Sequence, residues 1–584
     1  MSFETGGDMR TSLLPTALLA ICSAIAPAFC FAQQPPASPT SPTSADPNDQ
    51  LAIIAGTVVS ANTGEPLKKA HVSLSQIGGG GEESNEHSLT AITDAAGHFS
   101  IEKIPSGSYD LLVNRSGYVD ARYGQDRIDK PSAILSLAPG QKMTDLLFRL
   151  HRTAIITGRV IDEDGDPVRG ANVMSFVHTA SAGKPKISPN ESDRTNDLGE
   201  YRIVDLEPGR YSIKASAPHG RYPGEPAHAD NADNYVPIYY SGTTDIARAS
   251  TLEVKSGDEI SGIDFVLAPR PSARTYKVHG HVVNSLGDYP DARIVVMLFP
   301  RGNREMAFVA DQKQAVANAK TGDFELKDVM PGEYVATALS FAGGKTRTTA
   351  QSVDVIASDV DGVSLVLTRG VDIPVRVTLE GKSMPSTADL AVALSPSDTE
   401  SVAYFTPRQQ AVVQRDGSLE LKEVGDGSYA VRVSSKCREC YLKSATANGV
   451  DLLDQGVQIS SGAGPASIAI VYSSNSGTVT GFVTNKDDLP APGAMVVLVP
   501  DAGSRQKPLQ NYKTSPTDQY GHFEIRGVPP GHYKAFAWEK VDQDLYADPD
   551  FVKPFESKAE SLDIAANEQK SVQLKMIPAS DSAN

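Results

Sequence analysis

The residues of this chain best suited to chemistry are two cysteines near its centre. Cys437-Arg-Glu-Cys440 has the spacing of redox-active pairs, in which a helix N-terminus or a basic group activates a thiolate. The pair follows a predicted strand, no βαβ pattern surrounds it, and no second pair completes a zinc site. In an oxidising compartment a disulfide that closes a turn is the favoured interpretation, with redox chemistry as the alternative.

A run of carboxylates, Asp162-Glu-Asp-Gly-Asp166, has the alternation of a calcium-binding loop. The twelfth position of that loop is Val173, where calcium binding would need a glutamate. A later copy of the same segment has Asp487-Asp-Leu-Pro490 at the equivalent place. The pattern therefore favours a tight turn over a calcium site, and calcium between domains stays open.

Catalytic signatures are absent from the sequence. None of the eleven histidines has glutamate at the third following position, so the His-x-x-Glu pair of a metallocarboxypeptidase is missing. No His-Glu-x-x-His and no Gly-x-Ser-x-Gly motif occurs either. We therefore predict no catalytic residues, no metal ligands and no cofactor, and expect that the protein is not an enzyme.

The elements that would position any site are organised by one thirteen-residue pattern. A first glycine is followed ten residues later by a second glycine and two residues after that by tyrosine. Apolar residues stand two and four positions after the first glycine, the period-two alternation of a half-buried strand. The pattern occurs five times, at Gly97 to Tyr109, Gly199 to Tyr211, Gly322 to Tyr334, Gly417 to Tyr429 and Gly521 to Tyr533.

The residue types explain the pattern. A turn that ends in glycine begins a short strand, because glycine accepts positive φ and the preceding aspartate or asparagine bonds the backbone. A second turn then reverses the chain, with proline before the second glycine in three copies. The tyrosine opens the next strand. We interpret the unit as a β-hairpin.

Short alternating strands, frequent turn signals and a repeat length near one hundred residues are typical of tandem β-sandwiches. Each repeat is long enough to own its core. The sequence predicts an all-β chain with five sandwiches, the fourth degenerate because its opening glycine is missing. The expected segments are 1–32 (signal peptide), 33–50 (Pro/Ser-rich linker), 51–152, 153–271, 272–370, 371–475 and 476–579 (sandwiches one to five).

These motifs carry a family resemblance. Gly-x-Val, then a Gly-x-Pro turn with Ala-x-Val, then Thr-Asp-x-x-Gly-x-Phe and Pro-Gly-x-Tyr, resemble the carboxypeptidase regulatory-like domain, most clearly in repeats one, two and five. The resemblance implies prealbumin-like sandwiches related in fold to carbohydrate-binding modules. The overall plan is similar to multi-repeat exported proteins common in Acidobacteria. Only the accessory domain of such carboxypeptidases is implied, without the catalytic one.

The N-terminus predicts export. Arg10 precedes an apolar run from Leu13 to Phe31, and Cys30-Phe-Ala32 offers a cleavage site, so the mature chain begins near Gln33. No later stretch is long enough to span a membrane. The net charge of -17 argues against nucleic acid as a partner. We expect a periplasmic, outer-surface or secreted protein.

Exposed-looking aromatic side chains in the long insertion of repeat two and in repeat five are the candidate ligand contacts, because aromatic faces stack on sugar rings. The favoured alternative is a structural role, since tyrosines in sandwiches are more often core or corner residues. The expected function is binding or scaffolding at the cell envelope, with a polysaccharide or a cell-envelope protein as partner and carbohydrate as the ligand class that the resemblance implies. A mechanical spacer or protein-interaction rod, and an accessory subunit of a separate hydrolase, are the alternatives. The candidate binding residues are Tyr239, Tyr240, Tyr512, Trp538 and Tyr546.

Overall fold

The computed structural model describes most of the chain after residue 50. The predicted signal peptide and linker lie outside the described residues. Within those residues, no helix combines the length and the apolar character that a membrane crossing requires. The described ranges are 51–77, 88–125, 130–181, 184–217, 235–244, 246–267, 275–284, 293–301, 313–342, 345–367, 370–382, 385–397, 409–460, 463–501, 512–541 and 545–582.

Each repeat forms two β-sheets that pack face to face, so the predicted all-β array of five sandwiches is confirmed. The first sandwich contains β1 (Ala52–Ser60), β2 (His71–Gln76), β3 (Ser88–Ile92), β4 (His98–Ile104), β5 (Gly107–Asn114), β6 (Ala121–Arg122), β7 (Leu135–Leu137) and β8 (Lys142–Leu150). Its sheets have the orders β4-β1-β8 and β3-β2-β5-β6, and β7 also pairs with β5.

The second sandwich has the same plan, but the first two strands of its second sheet are longer than those of the first sandwich. Its strands are β9 (Ala154–Asp162), β10 (Asn172–Ser181), β11 (Lys184–Arg194), β12 (Glu200–Leu206), β13 (Gly209–Ser216), β14 (Ile238–Tyr239), β15 (Leu252–Val254), β16 (Glu259–Ile260) and β17 (Phe265–Leu267). The third sandwich contains β18 (Tyr276–Asn284), β19 (Ile294–Pro300), β20 (Lys313–Val316), β21 (Asp323–Val329), β22 (Gly332–Ala342), β23 (Lys345–Val355) and β24 (Val360–Leu367).

The fourth sandwich differs by adding two strands to its first sheet, which has the order β28-β25-β33-β30-β31. Its strands are β25 (Val371–Glu380), β26 (Leu390–Pro396), β27 (Gln409–Val412), β28 (Ser418–Val424), β29 (Gly427–Ser435), β30 (Tyr441–Ala447), β31 (Val450–Asp451), β32 (Val457–Ile459) and β33 (Ile468–Ser473). The fifth contains β34 (Gly477–Thr484), β35 (Met495–Pro500), β36 (Lys513–Pro516), β37 (His522–Val528), β38 (Gly531–Trp538), β39 (Glu560–Ile564) and β40 (Gln569–Lys575).

The helices in the described residues are short and lie between strands or at the end of the chain. The α-helices are α1 (Leu452–Gln455), α2 (Pro549–Val552) and α3 (Ala579–Ser582), and the 3-10 helices are Ile246–Arg248, Thr387–Asp389, Leu545–Ala547 and Lys553–Lys558.

Every sandwich has its own hydrophobic core. In β1, buried residues alternate strictly with half-buried ones, as period-two patterning predicts. Ile54 from one sheet and Leu111 from the other have no exposed surface and belong to the same cluster. Comparable clusters fill the other four sandwiches. The repeats therefore fold around separate cores.

The interpretation of the repeat unit as a hairpin is wrong. The strand after the first glycine and the strand with the tyrosine belong to different sheets, as β4 and β5 show. The five turn glycines do have positive φ, between 72° and 82°, as predicted. The chain crosses from one sheet to the other between Ile104 and Gly107, and the Tyr109 hydroxyl donates to the carbonyl of Pro105 at 2.7 Å. The unit is an arch across the sandwich.

One residue before each crossing has a left-handed backbone. The sixth residue after the turn glycine has positive φ in all five repeats, beside an irregularity in the pairing with the opening strand. Only the fifth repeat has glycine there. This is a β-bulge that turns the strand end toward the opposite sheet. The five residues are Lys103, Asp205, Asp328, Glu423 and Gly527.

Replacing Lys103 by glycine is expected to stabilise the first sandwich by about 0.5–1 kcal/mol, because lysine at φ 58° bears a steric cost that glycine avoids. Differential scanning calorimetry measures the change. The neighbouring Glu102→Gly is the control and should destabilise, since its φ is not in the left-handed region. A lower midpoint for Lys103→Gly would contradict the assignment of strain to this bulge.

Candidate functional site

A recess of about 690 Å³ lies on the second sandwich, beside its four-stranded sheet. It forms where β9, β11 and β12 meet the turn that precedes β12. Its wall combines arginines with carboxylates and includes one tyrosine. The lining residues are Thr157, Gly158, Arg159, Asp193, Arg194, Asn196, Glu200, Tyr201, Arg202 and Asp264.

The carboxylates of the recess already have partners. Asp264 accepts from the amide of Arg159 at 2.8 Å, and Asp193 accepts from the amide of Arg202 at 2.7 Å. The Arg159 guanidinium donates to Glu200 at 3.1 Å and thereby lowers the pKa of that carboxyl. With three arginines and three acids, the recess suits a polar segment of mixed charge more than a single anion.

The tyrosine of the recess serves the fold. The Tyr201 hydroxyl donates to the carbonyl of Ile263 at 2.6 Å, and burial raises the pKa of Tyr201. The ring packs beside Gly158, where a Cβ would lie 2.9 Å from the phenol oxygen. No histidine, serine or cysteine lines the recess. The lining therefore provides charge and hydrogen bonds but no nucleophile paired with a base.

A serine–histidine contact lies elsewhere on the second sandwich. His178 Nε2 is 2.8 Å from Ser212 Oγ on the neighbouring strands β10 and β13. Such a pair is one requirement for nucleophilic catalysis. Ser212, however, has no exposed surface. Burial lowers the pKa of His178, with Arg210 acting in the same direction. We interpret the contact as a structural hydrogen bond between strands.

The carboxylate run at residues 162–166 forms a turn. Asp162 accepts from the amides of Asp164 at 3.0 Å and Asp166 at 2.8 Å, and Gly165 has a φ of 86°. One oxygen of the first carboxylate is thus used by the backbone. Across the described ranges, no three His, Cys, Asp or Glu side chains are grouped so as to hold a metal ion.

The aromatic candidates of the fifth sandwich are buried, as their structural interpretation predicts and their interpretation as ligand contacts does not. Trp538 is 0% exposed, Tyr546 6% and Tyr512 8%. They lie in a second hydrophobic cluster with Phe536 and residues of α2 and the 3-10 helix Lys553–Lys558, such as Phe555. Residues 545–559 cover the outer face of the sheet. These rings therefore offer no platform for a sugar.

The candidates of the second sandwich are also packed into the protein. Tyr239 is 5% exposed and its ring centroid lies 5.9 Å from that of Phe176. Tyr240 is half-buried, with its ring 6.2 Å from Phe265 in an edge-on contact. Here β14 and the residues after it lie against β13. The pair stabilises the insertion and is not an exposed aromatic surface.

The two cysteines form a disulfide, with Cα atoms 5.4 Å apart. The loop that they close contacts the fifth sandwich. Ser476 Oγ donates to the carbonyl of Glu439 at 2.5 Å, and a Cβ on Gly527 would lie 2.6 Å from the Arg438 carbonyl oxygen. The disulfide thus shapes a joint between the fourth and fifth sandwiches. Glycine at position 527 fits both its positive φ and this close approach.

A cluster of charges near the same joint predicts acid sensitivity. Lys443 Nζ lies 2.7 Å from both oxygens of Glu380, and Asn475 donates to Glu380 at 3.1 Å. The Lys443 hydrogen bond, with that of Asn475, lowers the pKa of Glu380 from its ordinary 4.5. Because the folded pKa is the lower one, the contact stabilises the fold above about pH 4.5 and is lost as pH falls through the folded value.

We therefore expect the thermal midpoint to fall as pH is lowered from about 5 to about 3. Glu380→Gln should have a lower midpoint at neutral pH and a shallower fall over this window, because it has no carboxylate to protonate there. Scanning fluorimetry at a series of pH values measures both. Glu560→Gln, at an exposed strand position, is the control for charge alone. Parallel curves for Glu380→Gln and the unaltered chain would contradict the prediction.

Sequence comparison identifies the first part of the array. The model of the carboxypeptidase regulatory-like domain matches residues 53–150 and 155–225. A search of curated proteins found no significant match.

Several solved structures share local similarity with the chain. The Bacillus anthracis TIE protein is 13% identical, with 55% of this chain and 51% of that protein covered and a TM-score of 0.15. The chain thus spans about half the length of that protein. The minor pilin GBS52 of Streptococcus agalactiae is 12% identical, with 38% and 98% covered and a TM-score of 0.22. The major pilin subunit BcpA of Bacillus cereus is 10% identical, with 55% and 100% covered and a TM-score of 0.14.

The family match agrees with the motifs of the repeats and with their fold into sandwiches. The first and second sandwiches are therefore similar to the carboxypeptidase regulatory-like domain over residues 53–150 and 155–225.

Proposed function

We propose that this chain is an exported, non-catalytic scaffold of the cell envelope that acts through protein–protein contacts. The observation that carries the proposal is that four of the five aromatic candidates are buried and the fifth, Tyr240, is half-buried. Among the features of the described surface are the mixed-charge recess and hydrogen-bonded joints between sandwiches. Surfaces of this kind suit recognition of folded or extended polypeptides.

Export is supported by three features of the chain. The N-terminal residues have the pattern of a cleavable signal, and a Pro/Ser-rich linker follows them. The disulfide between Cys437 and Cys440 is the kind of bond that persists in an oxidising compartment. We expect N-terminal sequencing of the protein recovered from the cell envelope or medium to begin near Gln33. A chain retained in the cytoplasm with its N-terminus intact would overturn this part of the proposal.

Carbohydrate binding, which the family resemblance implied, has lost its supporting residues. A sugar platform needs an aromatic face in contact with solvent, and the candidates do not present one. The alternative of a hydrolase accessory subunit needs a separate catalytic chain and is one special case of a protein partner. The scaffold proposal covers this accessory-subunit alternative but does not depend on it.

The recess of the second sandwich is the surface that we assign to an external protein partner. A photo-crosslinking amino acid in place of Arg202, in the full chain exported from living cells, should give adducts of a few discrete masses. The same amino acid in place of Arg415, on an exposed turn of the fourth sandwich, is the matched control and should give none.

Affinity electrophoresis of residues 33–584 through gels with soluble polysaccharides tests the competing function. We expect unchanged mobility in every gel. Retardation by one polysaccharide, together with no adduct at position 202, would replace the scaffold proposal by carbohydrate binding.

A further inference from the structure

The first and fifth sandwiches touch, although their contact residues are separated by more than 360 positions in the chain. Strand β7 pairs with β5 on one side only, through Gly107 to Tyr109. Its other side meets the turn Thr517–Gly521, which we call the docking turn. Ile134 forms a parallel bridge with Asp518, and its amide donates to the Thr517 carbonyl at 3.2 Å. The docking turn thus lies along the free edge of β7.

Gln519 completes this contact as a neighbouring strand would. Its side-chain oxygen accepts from the amide of Ser136 at 2.9 Å, and its side-chain nitrogen donates to the Ser136 carbonyl at 2.6 Å. A side-chain amide here replaces the peptide group of a paired residue, which also offers one donor and one acceptor. Both outward-facing backbone groups of Ser136 are therefore satisfied from the fifth sandwich.

The surroundings of these bonds are closely packed. Ala133 and Thr517 are 2% and 0% exposed. A Cβ on Gly493 would lie 3.0 Å from the Pro131 carbonyl oxygen, so the two backbones approach closely at the rim. The side-chain amide of Gln141 donates to the Tyr520 hydroxyl at 3.2 Å on the exposed side. Contacts therefore extend on both sides of Gln519.

The docking turn differs from its four equivalents at the residue whose side chain contacts β7. All five turns precede the turn glycine with positive φ. Two positions before that glycine, the other repeats have Ala95, Asp197, Lys320 and Arg415. None of these side chains carries both a hydrogen-bond donor and an acceptor at neutral pH. Glutamine at this position in the fifth repeat is thus matched to the strand edge it contacts.

We propose that the docking turn is a recognition element whose ligand is the β7 edge of the same chain, so that the last sandwich holds the first. The docking gives an unpaired strand edge its partner, and such edges otherwise pair with other chains. It ties residues at the two ends of the array together. This inference concerns contacts within the chain and stands whatever the external partner is.

Residue-resolved hydrogen exchange on the full mature chain tests the docking. In Gln519→Ala, the amides of Ile134 and Ser136 should exchange roughly tenfold faster or more, since their acceptors are lost or loosened. The amides of Leu135 and Leu137 face β5 and should keep their protection. Arg415→Ala, at the equivalent turn position of the fourth sandwich, should change none of these rates.

A second variant separates recognition from packing. Gln519→Glu keeps the shape of the side chain but places an oxygen against the Ser136 carbonyl, so it should release the edge as strongly as alanine does. Small-angle scattering should show a larger radius of gyration for both variants and unchanged size for Arg415→Ala. Unaltered exchange and size in both Gln519 variants would overturn the proposal. So would a dimer of the unaltered chain that dissociates on Gln519→Ala, because the docking would then join two copies.

Discussion

Replacement of Trp538 by alanine is expected to destabilise the fifth sandwich by about 3–5 kcal/mol, the cost of a large cavity in a packed core. The indole has no exposed surface. It stacks on Phe536 with ring centroids 4.8 Å apart and meets Phe555 edge-on at 6.2 Å. The segment that carries Phe555 packs on the sheet through the hydrophobic cluster around Trp538, so we expect it to detach as well. Faster hydrogen exchange in β35 and residues 549–558 measures the effect.

Trp538→Phe is the informative control. The indole nitrogen is buried and has no hydrogen-bond partner among the described residues, so its removal gives up no hydrogen bond seen there. Phenylalanine keeps the stacking and leaves a smaller cavity, and we expect a loss of about 1–2 kcal/mol. Equal and small losses for both variants would show that the ring is not part of a packed core.

This prediction also changes how a binding experiment must be interpreted. If Trp538→Ala abolished retardation by a polysaccharide, the cause would be ambiguous, because the same change unfolds the surface around it. Trp538→Phe does not remove the ambiguity, since phenylalanine retains both the core and an aromatic face. Loss of binding in alanine but not in phenylalanine would follow from either cause. Loss of binding by a variant at this position therefore indicates a sugar contact only when the thermal midpoint of that variant equals that of the unaltered chain.

The architecture was predictable because its determinants are local and repeated. A glycine that needs positive φ, a strand with alternating burial and a tyrosine at constant spacing recur five times, and each occurrence supports the others. The structure places all five turn glycines in the left-handed region. The pairing of strands into sheets depends less on local sequence than the turns do. The same spacing is compatible with a hairpin and with an arch, and the bulge that decides for the arch is occupied by Lys103 in the first repeat.

Burial of the aromatics could not be deduced from their spacing, because it depends on what covers the outer face of a sheet. One signal in the sequence did indicate a covered outer face. The run Met495-Val-Val-Leu-Val499 is apolar at both parities, and its strand is buried on both faces apart from Met495. A strand with one solvated face would alternate. The recess of the second sandwich and the docking turn involve segments distant in sequence, and only Gln519, distinct from its four equivalents, marked the latter.

Alanine in place of Gly481 is expected to destabilise the fifth sandwich by about 2–4 kcal/mol, although it adds a single methyl group. A Cβ at this position would lie 2.1 Å from the Val572 carbonyl oxygen and 2.7 Å from the Phe523 ring. The first of these is a backbone atom of the paired strand β40, so the sheet itself must move. Trp538 is the only tryptophan of the chain, so its fluorescence during urea unfolding reports on this sandwich alone.

The repeats supply matched controls for this glycine. Gly280→Ala meets the same obstacle in the third sandwich, 2.4 Å from the Val363 carbonyl oxygen, and should leave the tryptophan transition unchanged. The fourth sandwich has Val375 at the equivalent place, paired with Leu419 and Ile468 and only 3% exposed. There Val375→Gly should destabilise, because buried apolar surface is lost and glycine weakens a strand. Opposite substitutions at this position of the fold are thus both expected to be unfavourable. In our explanation, the distance between the opening and closing strands of each sandwich fits the residue that stands there. An unchanged tryptophan transition for Gly481→Ala would show that β40 moves aside freely and would contradict this explanation.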